Sequence, residues 1–222
     1  MATKKKEQPE TVAADQVQTQ EAENSIRDII RGYLEKTKRD GMDDLLDLMD
    51  EIGYFTAPAS SGGGRHSAEE GGLAQHSLNV LTVAEKLSVA LKGGKNITDD
   101  FRNSLVIVCL LHDLGKCGDY GKKMYVPNIL KSGKQSDAKP WERNKALTNI
   151  PHAFRSVIMA ERWLDLTEDE EYAIMYHDGL YDRETGGTAV IQGHETELLM
   201  ILHWADMWSS RVIEGSDEKE GE

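Results

Sequence analysis

The residues of this sequence best equipped for chemistry are its seven histidines, at positions 66, 76, 112, 152, 177, 194 and 203. Two are followed by aspartate, as His112-Asp113 and His177-Asp178. With 18 aspartates in 222 residues, chance alone gives about 0.6 such pairs, so the dipeptide by itself carries little. Context adds weight. His112 and Asp113 stand at the polar end of Leu105-Val106-Ile107-Val108-Cys109-Leu110-Leu111, just before Gly115. An imidazole and a carboxylate at the end of a buried apolar helix need a cation or hydrogen-bond partners, because burying either alone is costly. His203 and Asp206 are three apart and so share a helical face. Taken singly, each of these side chains reads more readily as a hydrogen-bonded core or surface residue. As a set, imidazoles with a few carboxylates form a ligand shell for manganese, iron, cobalt, nickel or zinc rather than for calcium or magnesium. Ser77, beside His76, has no evident activating base, which gives covalent catalysis little support.

Such a set needs a rigid frame, and the frame reads as helical. Ile26, Ile29, Ile30, Tyr33 and Leu34 fall on one helical stripe, and Leu45, Leu46, Met49 and Ile52 form another after Gly41. Pro58 to Gly64 is a flexible connection before a helix from Leu73 to about Leu91, which Gly93 and Gly94 stop. Thr98, with Asp99 and Asp100, caps a helix that runs through the apolar stretch to about Asp113. A further helix is expected from His152 to Leu164, and Thr167 with Glu170 makes a capping box for the next, ending near Gly179. The last runs from Glu195 to Val212. Strand alternation hardly appears, so the expected fold is all-α, a bundle of about seven helices with a long basic loop. Residues 1–23 lack Leu, Ile and aromatics and read as a disordered tail, 24–212 as one domain, and 213–222 as an acidic disordered tail.

Charge narrows the partners. The chain has 26 Lys and Arg against 39 Asp and Glu, a net −13 that repels duplex DNA and anionic membranes. Residues 114–150 depart from this, with eight Lys and Arg against three acids and no sustained periodicity. That segment is either a solvated loop or a positive cover that draws a small phosphorylated substrate toward an acidic body. Cys109 and Cys117 offer no disulfide framework and no paired-thiolate zinc spacing. The longest apolar run, Leu105 to Leu111, is seven residues, and Met1 to Lys6 leads into polar chain, so a soluble cytoplasmic protein is expected. Oligomeric state is not legible.

The order Gly71-Gly72-Leu73-x-x-His76-Ser77-Leu78-x-Val80, Leu111-His112-Asp113-Leu114-Gly115-Lys116, Pro151-His152, His177-x-Gly179 and Leu202-His203-x-Ala205-Asp206 resembles HD-domain metal-dependent phosphohydrolases. With Phe55-Thr56-Ala57-Pro58-Ala59-Ser60, it is similar to a bacterial and phage-associated branch of mostly unassigned substrate, and more distantly to the HD domain of a 3′-to-5′ exoribonuclease family. The Gly-Tyr-Pro signature of the cyclic-dinucleotide branch is absent. The resemblance spans about residues 40–212. It implies that His76, His112, Asp113 and Asp206 hold a first divalent ion, with Asp113 bridging to a second held by His152 and His177. His66 is either a further ligand or a substrate contact. Lys116 falls where the family has a lysine near metal and substrate phosphate. Arg155, one turn after His152, is either a substrate contact or an ordinary arginine. Asp178 and His194 read as structural, and His203 as packed against the site rather than ligating.

The expected activity is hydrolysis of a phosphate ester or anhydride in a small nucleotide, with Asp113 and Lys116 catalytic and one or two divalent ions activating water. Two alternatives stay open. One is a phosphodiesterase acting on a cyclic nucleotide or the 3′ end of a short single strand, and Tyr120, Tyr125 and Trp141 would stack on a base in either enzyme. The other is a metal- or nucleotide-binding sensor without turnover.

Overall fold

The computed structural model describes residues 25–62, 67–179 and 190–215; His66 and most of both expected tails lie outside them. Seven helices dominate the described residues: α1 (25–36), α2 (Met42–Glu51), α3 (Gly72–Lys92), α4 (Asp99–Leu111), α5 (His152–Ala160), α6 (Glu168–Met175) and α7 (Glu197–Trp208). A helical segment without a polar face must be surrounded, and the apolar run makes the second half of α4 such a segment. Every residue from Leu105 to Leu111 is buried, and α3, α6 and α7 pack around it. No described helix is long and apolar enough to cross a membrane.

Helix ends follow the local chemistry. The Thr98 hydroxyl accepts the Phe101 N–H at 3.2 Å to start α4, and Thr167 and Glu170 form both halves of the capping box on α6. Glu170 is fully buried, and Arg39 reaches it at 2.5 Å to compensate its charge. Two expected ends differ. α5 stops at Ala160 rather than Leu164, and α7 gives way after Trp208 to a π-helical turn, Ser209–Ile213, where the Glu214 N–H reaches back to the Ser209 carbonyl at 2.9 Å.

The basic segment contains two small antiparallel sheets. β1 (Gly118–Asp119) pairs with β2 (Lys122–Lys123), and β3 (Tyr125–Pro127) pairs with β4 (Trp141–Arg143) in the register Tyr125 to Arg143 and Pro127 to Trp141. Tyr120 and Gly121, both at positive φ, close the first hairpin, a two-residue turn whose twist suits the strands. Strands of two or three residues are too short to show alternation, which is why none was expected. Side chains fasten this cover to the helices. Arg162 donates two bonds to Asp119, at 2.9 and 2.7 Å, and the Trp141 indole donates to the Ala68 carbonyl at 2.6 Å.

A 3-10 turn, Leu114–Cys117, leads from α4 into this cover and packs directly on α5. Gly115 makes the close approach possible, since a Cβ there would stand 2.2 Å from the His152 carbonyl oxygen and 2.9 Å from the Arg155 Cβ. Its N–H donates to the Ser156 hydroxyl at 2.8 Å. Gly115→Ala should therefore push α5 away from the turn and destabilise the protein by about 1–3 kcal/mol, the usual cost of overpacking. Chemical denaturation measures this, and an unchanged midpoint would show that the contact is loose.

Candidate metal centre

Two helix ends set the geometry. The last carbonyls of a helix have no helical N–H to bond, and here they accept from histidines that follow. His112 Nδ1 meets the Cys109 carbonyl at 2.9 Å at the end of α4, and His177 Nδ1 meets the Ile174 carbonyl at 2.8 Å at the end of α6. Each bond places the proton on Nδ1 and turns the bare Nε2 inward. His76 enters from α3, His152 from the first residue of α5, and Asp206 from α7.

Asp113 lies where these side chains converge and is almost fully buried. Its Oδ1 is 3.2 Å from His152 Nε2 and 3.7 Å from His177 Nε2, and its Oδ2 is 3.3 Å from His112 Nε2 and 3.7 Å from His76 Nε2. His76 Nε2 is also 3.1 Å from Asp206. Three overlapping groups place ligand atoms within 4.8 Å of one another: His76, His112 and Asp206; His112, Asp113 and His177; and His152, His177 and Asp178.

The electrostatics are those of a cation site. Asp113, Asp178, Asp206 and Glu214 surround the imidazoles, with Lys116 Nζ 2.6 Å from Asp113 Oδ2. Burial pushes the Asp113 carboxyl up, but Lys116 and the imidazoles of His112 and His152 override it and hold it well below the carboxylate range. Burial likewise opposes charge on His76, yet Asp206 and Glu214 raise it to about 10, so a metal ion taken up there displaces a proton. Among the described residues, Asp113 Oδ1, His112 Nε2 and His152 Nε2 are buried without a hydrogen-bond partner. Buried polar atoms are rarely left so, and three that face one another, of ligand type, fit a divalent cation.

The family model for the HD domain matches residues 73–208, well over half of the chain. The chain belongs to the HD-domain family. No curated protein and no solved structure matches it. HD domains are mostly metal-dependent phosphohydrolases that hold divalent ions with histidine and aspartate, and the matched segment contains all six ligands expected from the sequence.

The HD fold brings His76, His112, Asp113, His152, His177 and Asp206 into one cluster, with Lys116 against it. Arg155 is placed elsewhere. It is 1% exposed, donates to the Thr148 carbonyl at 2.7 Å and stands 3.7 Å from Asp119, so it braces the cover over α5. His203 Nδ1 donates to the His177 carbonyl at 2.8 Å, and its ring packs where a Cβ on Gly179 would be 2.5 Å from it. His194 is exposed. Two carboxylates at the cluster were not expected there from the sequence. Asp178, read there as structural, lies 3.4 Å from His152 Nε2; the second His-Asp pair was its signal. Glu214, at the start of the expected acidic tail, instead meets His76 Nδ1 at 3.0 Å, and no local motif points to it.

Beside the cluster an open cleft is lined by Glu70, Lys116, Cys117, Lys123, Tyr125 and Trp141, among others. Lys116 belongs to both, touching Asp113 on one side and the cleft on the other.

Proposed function

We propose that the protein hydrolyses a phosphate ester or anhydride in a small nucleotide. The observation that carries this reading is Lys116, which joins an imidazole and carboxylate cluster to a cleft carrying a second lysine and two aromatic rings. A divalent cation, one or two per chain, would acidify water and polarise a phosphoryl oxygen. His76, His112, Asp113 and Asp206 would hold one ion, and His152, His177 and Asp178 the other, with Asp113 shared. Lys116 and Lys123 would orient the phosphate, and Tyr125 and Trp141 would pack against the base. Ser77 is fully buried and its hydroxyl donates to the Leu73 carbonyl at 3.0 Å, which supports water rather than a protein hydroxyl as nucleophile. Two buried free thiols, Cys109 and Cys117, support a cytoplasmic setting.

The test is metal analysis of protein purified without chelator, then incubation of the manganese-loaded protein with nucleoside mono-, di- and triphosphates, cyclic dinucleotides and short oligonucleotides. Release of phosphate or pyrophosphate from a mononucleotide is expected. Cleavage confined to cyclic or oligomeric substrates would move the assignment to a phosphodiesterase, and metal binding without any turnover would make the protein a sensor.

The lysines divide by position. Lys123 lines the cleft, whereas Lys122, Lys131 and Lys134 are exposed away from its lining. Lys123→Ala should raise KM about tenfold, the scale of one charge-assisted contact. Replacing the three outer lysines together should raise KM only at low ionic strength, because capture by exposed charge is screened by salt. Steady-state kinetics at low and high salt separates the two, and equal effects would show that Lys123 acts only through the general field.

A further inference from the structure

Among the described residues, Glu214 reaches the centre from beyond the family match, which ends at residue 208. Its carboxylate is only 7% exposed and is held by three side chains. His76 Nδ1 stands 3.0 and 3.1 Å from its two oxygens, Asn79 Nδ2 donates to Oε1 at 3.0 Å, and Ser67 Oγ donates to Oε2 at 2.8 Å. Asn79 lies one helical turn beyond His76 on α3, so both face the same way.

The π turn explains how the chain end reaches this position. Eight residues of α-helix separate a side chain from Asp206 by about 80° beyond two full turns, which would carry Glu214 off the site. The wider Ser209–Ile213 turn winds part of that rotation back, and Ser209 is fully buried beneath it.

We propose that Glu214 is a positioning residue for the metal centre, orienting His76 and raising the basicity of its Nε2. The imidazole is bound at both nitrogens: Nδ1 by Glu214, and Nε2 facing Asp206 and Asp113. A carboxylate on Nδ1 fixes the proton there, stops the ring from rotating, and strengthens the opposite nitrogen as a ligand. Metal affinity is thereby tied to docking of the segment after α7. This rests on the reading of the cluster as a metal centre, although not on any particular substrate.

The test is the affinity of the full-length apoprotein for Mn(II), measured by competition with a chromophoric chelator. Four proteins are compared: parent, Glu214→Gln, His76→Ala and the double variant. The glutamine keeps the size and the hydrogen-bonding oxygen, and the thermal midpoint of each apoprotein monitors folding. Glu214→Gln should weaken the tighter site by about 10–100-fold, and the double variant should bind no more weakly than His76→Ala alone. A Glu214→Gln affinity within about twofold of the parent would overturn the proposal, as would the same loss in both backgrounds, which would place the effect in general packing. A parent that takes up no metal would overturn the metal-centre reading along with it, and so is distinguishable from failure of the Glu214 role alone.

Discussion

Asp113→Ala is expected to lose hydrolysis by about 10³-fold or more and to lower metal content by at least one ion per chain. Asp113 faces ligand atoms with both of its carboxylate oxygens. Oδ1 looks toward His152 and His177, and Oδ2 toward His112 and His76, all within 3.7 Å. Removing the group takes one anion from each set of imidazoles, leaving Asp206 on one side and Asp178 on the other to offset the cation charge. Helix content should survive because Asp113 sits at the end of α4, although the apoprotein should melt lower than the parent once Lys116 loses its buried partner. Far-ultraviolet circular dichroism should thus retain its helical amplitude while metal analysis and turnover change together. Asp113→Asn keeps one oxygen and should retain more metal than the alanine variant while remaining inactive. An Asp113→Ala protein that binds two ions, or turns over within about tenfold of the parent, would remove Asp113 from the centre.

Sequence legibility followed the range of the interactions involved. α4 and α6 were readable because Thr98 and the Thr167 and Glu170 pair act within three residues, and because an unbroken apolar run can only be central. His112 was readable for the same reason, since it stands where a buried helix runs out. The hairpins were not, because strands of two or three residues are too short to show alternation, and Arg162 and Ala68, which tie them to the rest of the fold, are distant in sequence. Arg155 illustrates the limit in a single side chain. Its spacing from His152 allowed a substrate contact, but Asp119 is brought over it by the first hairpin, 36 residues upstream, and Thr148 takes its guanidinium. Glu214 is the converse case: an acid in an acidic stretch reads as solvated, and only the π turn and the facing His76 and Asn79 reveal otherwise.

Lys116→Met should lower kcat by about 10²–10³-fold while changing KM by no more than about threefold. Burial works against a charged amine, yet Asp113 outweighs it and raises Lys116 above the ordinary lysine range, so the ammonium stays charged across any practical assay pH. A fixed positive charge between Asp113 and the cleft stabilises the transferring phosphoryl group most when its oxygens gain charge, which is a transition-state effect. A competing account is that Lys116 merely neutralises Asp113 and helps retain metal. The two separate on addition of metal. Breaking a buried ion pair costs about 3–5 kcal/mol, so the apoprotein of the variant should melt well below the parent. A bound cation restores a positive partner to Asp113, and saturating manganese should therefore raise the thermal midpoint of the variant more than that of the parent. If Lys116 acts on the phosphoryl group, kcat stays low under the same saturating metal, and Lys116→Arg recovers part of it by keeping the charge. Recovery of kcat to within about threefold of the parent by manganese alone would show that the lysine serves only the metal centre.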